Sequence, residues 1–137
     1  MGFLDKLKPD YRHSNPEVRL EGIKKLHDNA ILLDVCLNDN DKDVRLAAFR
    51  KIDFPGYLPL IIARSQDEDI KKEAFERISH HDNYVDVIRL SKDENFQKRA
   101  IDKITHIDVL HELKSHTDSS LHDRINKRIE DLKKIEK

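Results

Sequence analysis

The chain has 137 residues, 39% of them charged, a formal net charge of −1 at neutral pH, one cysteine and no tryptophan. That length suits a single domain with its own core, the near-cancelling charge supplies no long-range field for phosphate backbones or an anionic membrane, and one thiol excludes a disulfide framework or a thiolate metal cage. High charge accompanies disorder only where apolar residues are scarce and unpatterned, and here they follow a strict pattern.

Met1–Lys6 does not read as a signal peptide, because Asp5 interrupts it and no apolar core follows. Phe3, Leu4 and Leu7 predict a small apolar patch on a helix that Pro9 stops, with Tyr11 packed beside it as an N-terminal cap over residues 1–13. Asn15 then offers an N-cap oxygen, and Pro16 takes the one helical position that tolerates proline. The helix that follows is predicted over about 16–26. Its apolar positions Val18, Ile23 and Leu26, with the small Gly22 between them, form one stripe at a 3.6-residue period.

This unit recurs. Val18, Val44, Ile70, Phe96 and Leu121 are spaced by 26, 26, 26 and 25 residues, and Leu26, Ile52, Ile78, Ile104 and Ile129 keep the same spacing. Gly22, Ala48, Ala74, Ala100 and Ile125 occupy the mid-stripe position, followed by Ile23, Phe49, Phe75, Ile101 and Asn126. Asn15, Asp41, Asp67, Asp93 and Asp118 precede the anchors as N-caps. Further helices are therefore predicted over about 42–52, 68–78, 94–104 and 119–133. Between them Leu32, Leu58, Tyr84 and Leu110 align, as do Val35, Ile61, Val87 and Leu113, and the partial column Cys36, Ile62 and Ile88. These columns predict shorter first helices of about 8–10 residues, too short to persist alone in water. Cys36 reads as a buried small apolar residue. Asn126 and the charged tail Glu130–Lys137 give a polar final unit, which suits a complete array.

The strings Asp41-Lys42-Asp43-Val44-Arg45-Leu46-Ala47-Ala48-Phe49 and Asn15-Pro16-Glu17-Val18-Arg19-Leu20-Glu21-Gly22-Ile23 resemble HEAT-like repeats of the short, phycobilisome-lyase type. Leu58-Pro59-Leu60-Ile61-Ile62 is similar to the first helix of that repeat. The resemblance spans roughly 14–130 and departs where the Val-Arg pair becomes Ile70-Lys71, Phe96-Gln97 and Leu121-His122. It implies an all-α fold, a right-handed α-solenoid of about five hairpins at approximately 14–38, 39–64, 65–90, 91–115 and 116–137 in one domain. It also implies protein–protein binding, and it does not imply lyase activity.

Four constellations bear on function. Arg19, Arg45 and Lys71 follow the anchors into the apolar sector and predict a structural ladder in which each base meets a capping carboxylate such as Asp41 or Asp67. Lys25, Lys51, Arg77, Lys103 and Arg128, doubled by Lys24, Arg50 and Lys127, form a basic column at the stripe edge. It reads as cations completing helix C-termini, as a contact strip for an acidic protein, or as a grip on nucleic acid. Against the last, no aromatics interleave with it and Glu76 and Asp102 interrupt it. His80 and Asp82 align with His106 and Asp108 one unit later and are the candidate metal ligands, although Asp82 and Asp108 read equally as helix caps. The serines, Ser14, Ser65, Ser79, Ser91, Ser115, Ser119 and Ser120, sit in predicted turns, and no nucleophile elbow or Gly-rich phosphate loop accompanies them.

The expectation is a non-enzymatic cytoplasmic scaffold, monomeric or weakly dimeric, that needs no cofactor and binds another protein through its second-helix face. Lys25, Arg50, Lys51, Arg77 and Lys103 are the expected contacts. Nucleic-acid binding by the same column, and a metal-binding HEAT-like protein, are the alternatives; membrane association is not expected.

Overall fold

The computed structural model describes residues 9–135, so the predicted patch at Phe3, Leu4 and Leu7 lies outside the described residues. Within them the chain is all-α. Nine helices follow in order: α1 Pro16–Lys25, α2 Asn29–Asn38, α3 Lys42–Lys51, α4 Leu58–Arg64, α5 Glu68–Arg77, α6 His81–Leu90, α7 Glu94–Lys103, α8 Ile107–Lys114 and α9 His122–Ile135. Short 3-10 turns cover Asp10–Arg12, Pro55–Tyr57 and Ser119–Leu121. No described helix is long and apolar enough to cross a membrane.

The starts of the odd-numbered helices follow local chemistry. The side chains of Asn15, Asp41 and Asp93 accept from the amides of Glu17, Val44 and Asn95, satisfying donors that the first turn leaves bare. Each helix end is made without glycine. Leu26, Ile52, Ile78 and Ile104 turn extended, with ψ of 134°, 123°, 125° and 131°, and each donates its amide to the carbonyl three residues back. The second apolar column thus supplies the C-caps, one residue past each helix. Because no described residue has a positive φ, a chain with three glycines makes these turns without a left-handed residue.

The packing runs between near neighbours in sequence. α2 lies against α3, α4 against α5, α6 against α7 and α8 against α9, while α1 meets α3, α2 meets α4, α4 meets α6 and α7 meets α9. Val44, Ala48, Phe49, Ile61, Ile70, Ala74, Val87, Ala100, Ile101, Ile104, Leu110 and Ile125 are wholly enclosed. Each large aliphatic so buried contributes about 1.5–3 kcal/mol relative to exposure, which offsets the poor intrinsic stability of helices this short. At the first position of the small-residue column, a Cβ on Gly22 would come within 2.7 Å of the Asp10 Cβ and the Tyr11 amide nitrogen. The Asp10–Arg12 turn packs where the later units present a helix, and its backbone comes too close for Ala. Asn29 ties successive loops together, donating from Nδ2 to Asp53 at 2.6 Å and accepting the Asp53 amide at 3.1 Å.

Candidate functional site

Arg19 and Arg45, the residues after the first two anchors, turn inward and meet the loop before their own helix. Arg19 donates from Nε and Nη2 to the two Asp39 carboxylate oxygens at 3.0 and 3.1 Å, from Nη2 to Asn40 Oδ1, and from Nη1 to the carbonyls of His13 and Ser14. Arg45 grips Asp67 in the same bidentate way at 2.8 and 3.1 Å and donates from Nη1 to the Asp39 carbonyl at 2.8 Å. Both arginines and both carboxylates are nearly sealed from water. Hydrogen bonding to Asp67, opposed by burial and reinforced by the charges of Asp67, Asp39 and Asp41, holds the Arg45 guanidinium above its ordinary value.

The expected pairing of a base with Asp67 is present, and the other expected partners need correction. Arg19 takes Asp39 and not Asp41, whose side chain is committed to the Val44 amide. Asp67 sits at the N-cap of α5 but caps nothing, because Arg45 holds both its oxygens. Lys71 reaches only the exposed Glu68, at 3.4 Å in its own helix; an ammonium has no planar fork to span two oxygens and a carbonyl together. Gln97 keeps the carbonyl half of the pattern, donating to Ser91 at 2.8 Å and Ile88 at 3.1 Å.

A further column escaped the sequence reading. His13 Nδ1, Asp39 Oδ1, Ser65 Oγ and Ser91 Oγ each accept the backbone amide two residues on, at 3.0, 2.9, 3.0 and 3.1 Å. These positions are 26 apart, and the carbonyls of His13, Asp39 and Ser91 take the inward-turned side chains already described. Two of the serines thus have a structural task, shaping the loop that feeds the next helix.

The basic column divides into tied and free cations. Lys51 donates to the Lys24 carbonyl at 2.7 Å, Arg77 to the Phe49 carbonyl at 3.4 Å, and Arg128 to the Ile104 carbonyl at 2.9 Å. Each closes the C-terminal end of the odd-numbered helix before its own, where the dipole favours a cation. Arg77 also lies over the Phe49 ring at 4.3 Å. Lys24 and Lys127 pair with Glu21 and Asp131 within their own helices, and the Lys24 hydrogen bond and charge lower the Glu21 carboxyl. Lys25, Arg50 and Lys103 make no hydrogen bond or ion pair among the described residues. Nearby Arg99 stacks on Phe75 at 4.5 Å and Phe96 at 5.6 Å, while Arg124 holds Asp102 through two nitrogens.

The histidines meet differently from their alignment. His81, not His80, contacts His106, with ring centroids 4.3 Å apart and edge-on, and His81 Nε2 is buried without a partner. His80 and His106 are themselves the N-cap residues of α6 and α8, without a capping side-chain bond, and Asp82 and Asp108 fall one step inside the first turns. Among the described residues no three His, Cys, Asp or Glu side chains converge as metal ligands. Cys36 is enclosed, and burial, with the Asp67 charge adding to it, pushes its thiol up to about 12.

Phe54, with Leu90 and Ile135 one of the large apolar side chains exposed among the described residues, stands half out of the protein with its ring edge-on to Tyr57 at 4.8 Å. Beside it, Ile52, Asp53, Pro55, Leu58 and Arg77 complete a notch of about 240 Å³. Comparison with family models, curated proteins and solved structures returned no match.

Proposed function

We propose that the chain is a short, right-handed α-solenoid of HEAT-like hairpins whose second-helix edge, the C-terminal ends of α1, α3, α5 and α7 with the loops that follow them, docks another protein, with no chemistry of its own. The observation that carries the reading is the division of the basic column. Cations needed for folding are consumed by carbonyls, whereas Lys25, Arg50 and Lys103 make no hydrogen bond or ion pair among the described residues, and Lys103 lines a notch walled by Phe75 and Tyr84. Unpaired charge flanking an apolar notch is how an interaction patch differs from a solvated face.

Affinity capture from a nuclease-treated native lysate tests it, comparing the intact chain with the triple variant Lys25→Glu, Arg50→Glu and Lys103→Glu. None of these residues holds the fold together, so helicity by circular dichroism should be unchanged. The expected result is a protein retained by the intact chain and lost from the variant. Equal capture by both would dismiss this edge as the binding face, and a low-salt gel shift that the variant abolishes would move the reading to nucleic acid.

A further inference from the structure

Two notches lie on the proposed edge and share two of their lining positions. The first has Phe54, Pro55 and Leu58 as apolar walls and Arg77 at its rim. The second, about 200 Å³, has Phe75 and Tyr84 as walls with Arg99 and Lys103 at the rim. Leu58 and Tyr84 are 26 residues apart, as are Arg77 and Lys103. Each therefore offers a ring or aliphatic pocket with a cation over it.

The charges around the notches are unbalanced in one direction. Of the carboxylates, Glu73 faces Arg77, Asp102 is held by Arg124, and Asp53 accepts from Asn29. That leaves Glu76 in the second notch against Arg99 and Lys103. Arg77, 3.5 Å from Glu73 and 3.4 Å from the Phe49 carbonyl, keeps donors of its five-pronged fork for an incoming acceptor. Asp53 and Glu76, one in each notch, interrupt the positive strip once per unit. A phosphate on every nucleotide would meet them. A peptide that carries carboxylates only at intervals, between apolar side chains, would pass between them.

On the strength of that docking reading, we infer that the occupant is an extended, polyproline-II-like acidic peptide segment that seats apolar side chains in the two notches and lays its carboxylates on Arg77, Arg99 and Lys103. Packed neighbouring helices lie about 8–10 Å apart, and a peptide in the polyproline II conformation advances about 3.1 Å per residue and returns to the same face every three. The two apolar anchors therefore fall about three residues apart. The Phe54 ring, pinned by Tyr57, offers its contact area at little entropic cost.

The test is a selection of random dodecapeptides displayed against the full chain, followed by fluorescence anisotropy of the enriched peptide. The proposal expects enrichment of Asp and Glu together with two large apolar residues three apart. It also expects at least tenfold weaker binding to Phe54→Ala and to Lys103→Glu, with unchanged helicity. Gly56→Ala is a second probe of the first notch, because its Cβ would meet the Phe54 ring at 2.7 Å and displace it without moving a positive-φ backbone. Enriched peptides without acidic residues, a failure to enrich any peptide, or tighter binding of a single-stranded dodecanucleotide would each overturn it. If binding fell with Lys103→Glu but ignored Phe54→Ala and Gly56→Ala, the notch assignment would fall while the docking edge stood.

Discussion

Replacing Arg45 with Ala measures what the buried clamp is worth. The guanidinium gives two bonds to Asp67 and one to the Asp39 carbonyl, and Asp67, 8% exposed, has no other charged partner among the described residues. Removing one member of such a pair leaves a carboxylate stranded in a poorly solvated site, at a cost of about 3–5 kcal/mol. Domains of this size hold about 5–15 kcal/mol in all, so the variant should lose a large fraction of its stability. Urea titration followed at 222 nm reads the difference directly as a shift in midpoint at constant slope. The exposed Lys98–Glu94 pair, 2.9 Å apart on one helix face, is the control, and Lys98→Ala should cost about 0.3–0.5 kcal/mol. The double variant Arg45→Met, Asp67→Leu removes both charges together and should recover most of the loss, because no charge is stranded and only the Asp39 carbonyl loses a donor. If Arg45→Ala cost no more than Lys98→Ala, or the double variant were worse than the single, the argument from stranded charge would be wrong.

Two further outcomes follow from close packing and burial. Gly22→Ala should destabilise by about 1–3 kcal/mol through overpacking, despite the roughly 1 kcal/mol that Ala gains in helix propensity, because the added methyl meets the Asp10–Arg12 backbone; a rise in melting temperature would refute it. Cys36 stays protonated in the fold up to about 12, against an ordinary value of 9.0, so above that ordinary value the unfolded chain alone releases the proton. Stability should then fall with rising pH by up to about 1.4 kcal/mol per unit, and the slope should be smaller in Cys36→Ala; equal slopes would show the thiol is not shielded.

The helices led by Asn15, Asp41, Asp67 and Asp93 were legible because two independent signals agree at each, a capping residue and an apolar stripe at helical period, whereas α2, α4, α6 and α8 rested on aligned apolar columns. Loop chemistry was not. The acceptors at His13, Asp39, Ser65 and Ser91 share a function but not a residue type, so no column of identities marks them. Asp39 and Asp41 are two residues apart, and spacing cannot say which turns to a guanidinium; the turn is decided by Asp41 spending its oxygen on the Val44 amide. The histidines failed similarly. Aligning His80 with His106 compares like positions, both N-caps, whereas contact across a unit boundary is offset, which brings His81 to His106. The basic column could be listed from sequence, yet which cations are free depends on carbonyls that no sequence pattern displays.

The clamps are unevenly spread. Arg19–Asp39 and Arg45–Asp67 fasten the first part of the chain and Arg124–Asp102 the last, whereas α5 meets its successors through Phe75, Tyr84, Phe96 and Arg99. Cutting the chain after Ile78 would part no ion pair among the described residues, while cutting after Arg50 would sever Arg45 from Asp67 and Lys42 from Asp69. The ring-lined seam is thus the place to splice: an engineer lengthening or shortening the protein there would disturb apolar surfaces that another apolar surface can replace, and would orphan no ion.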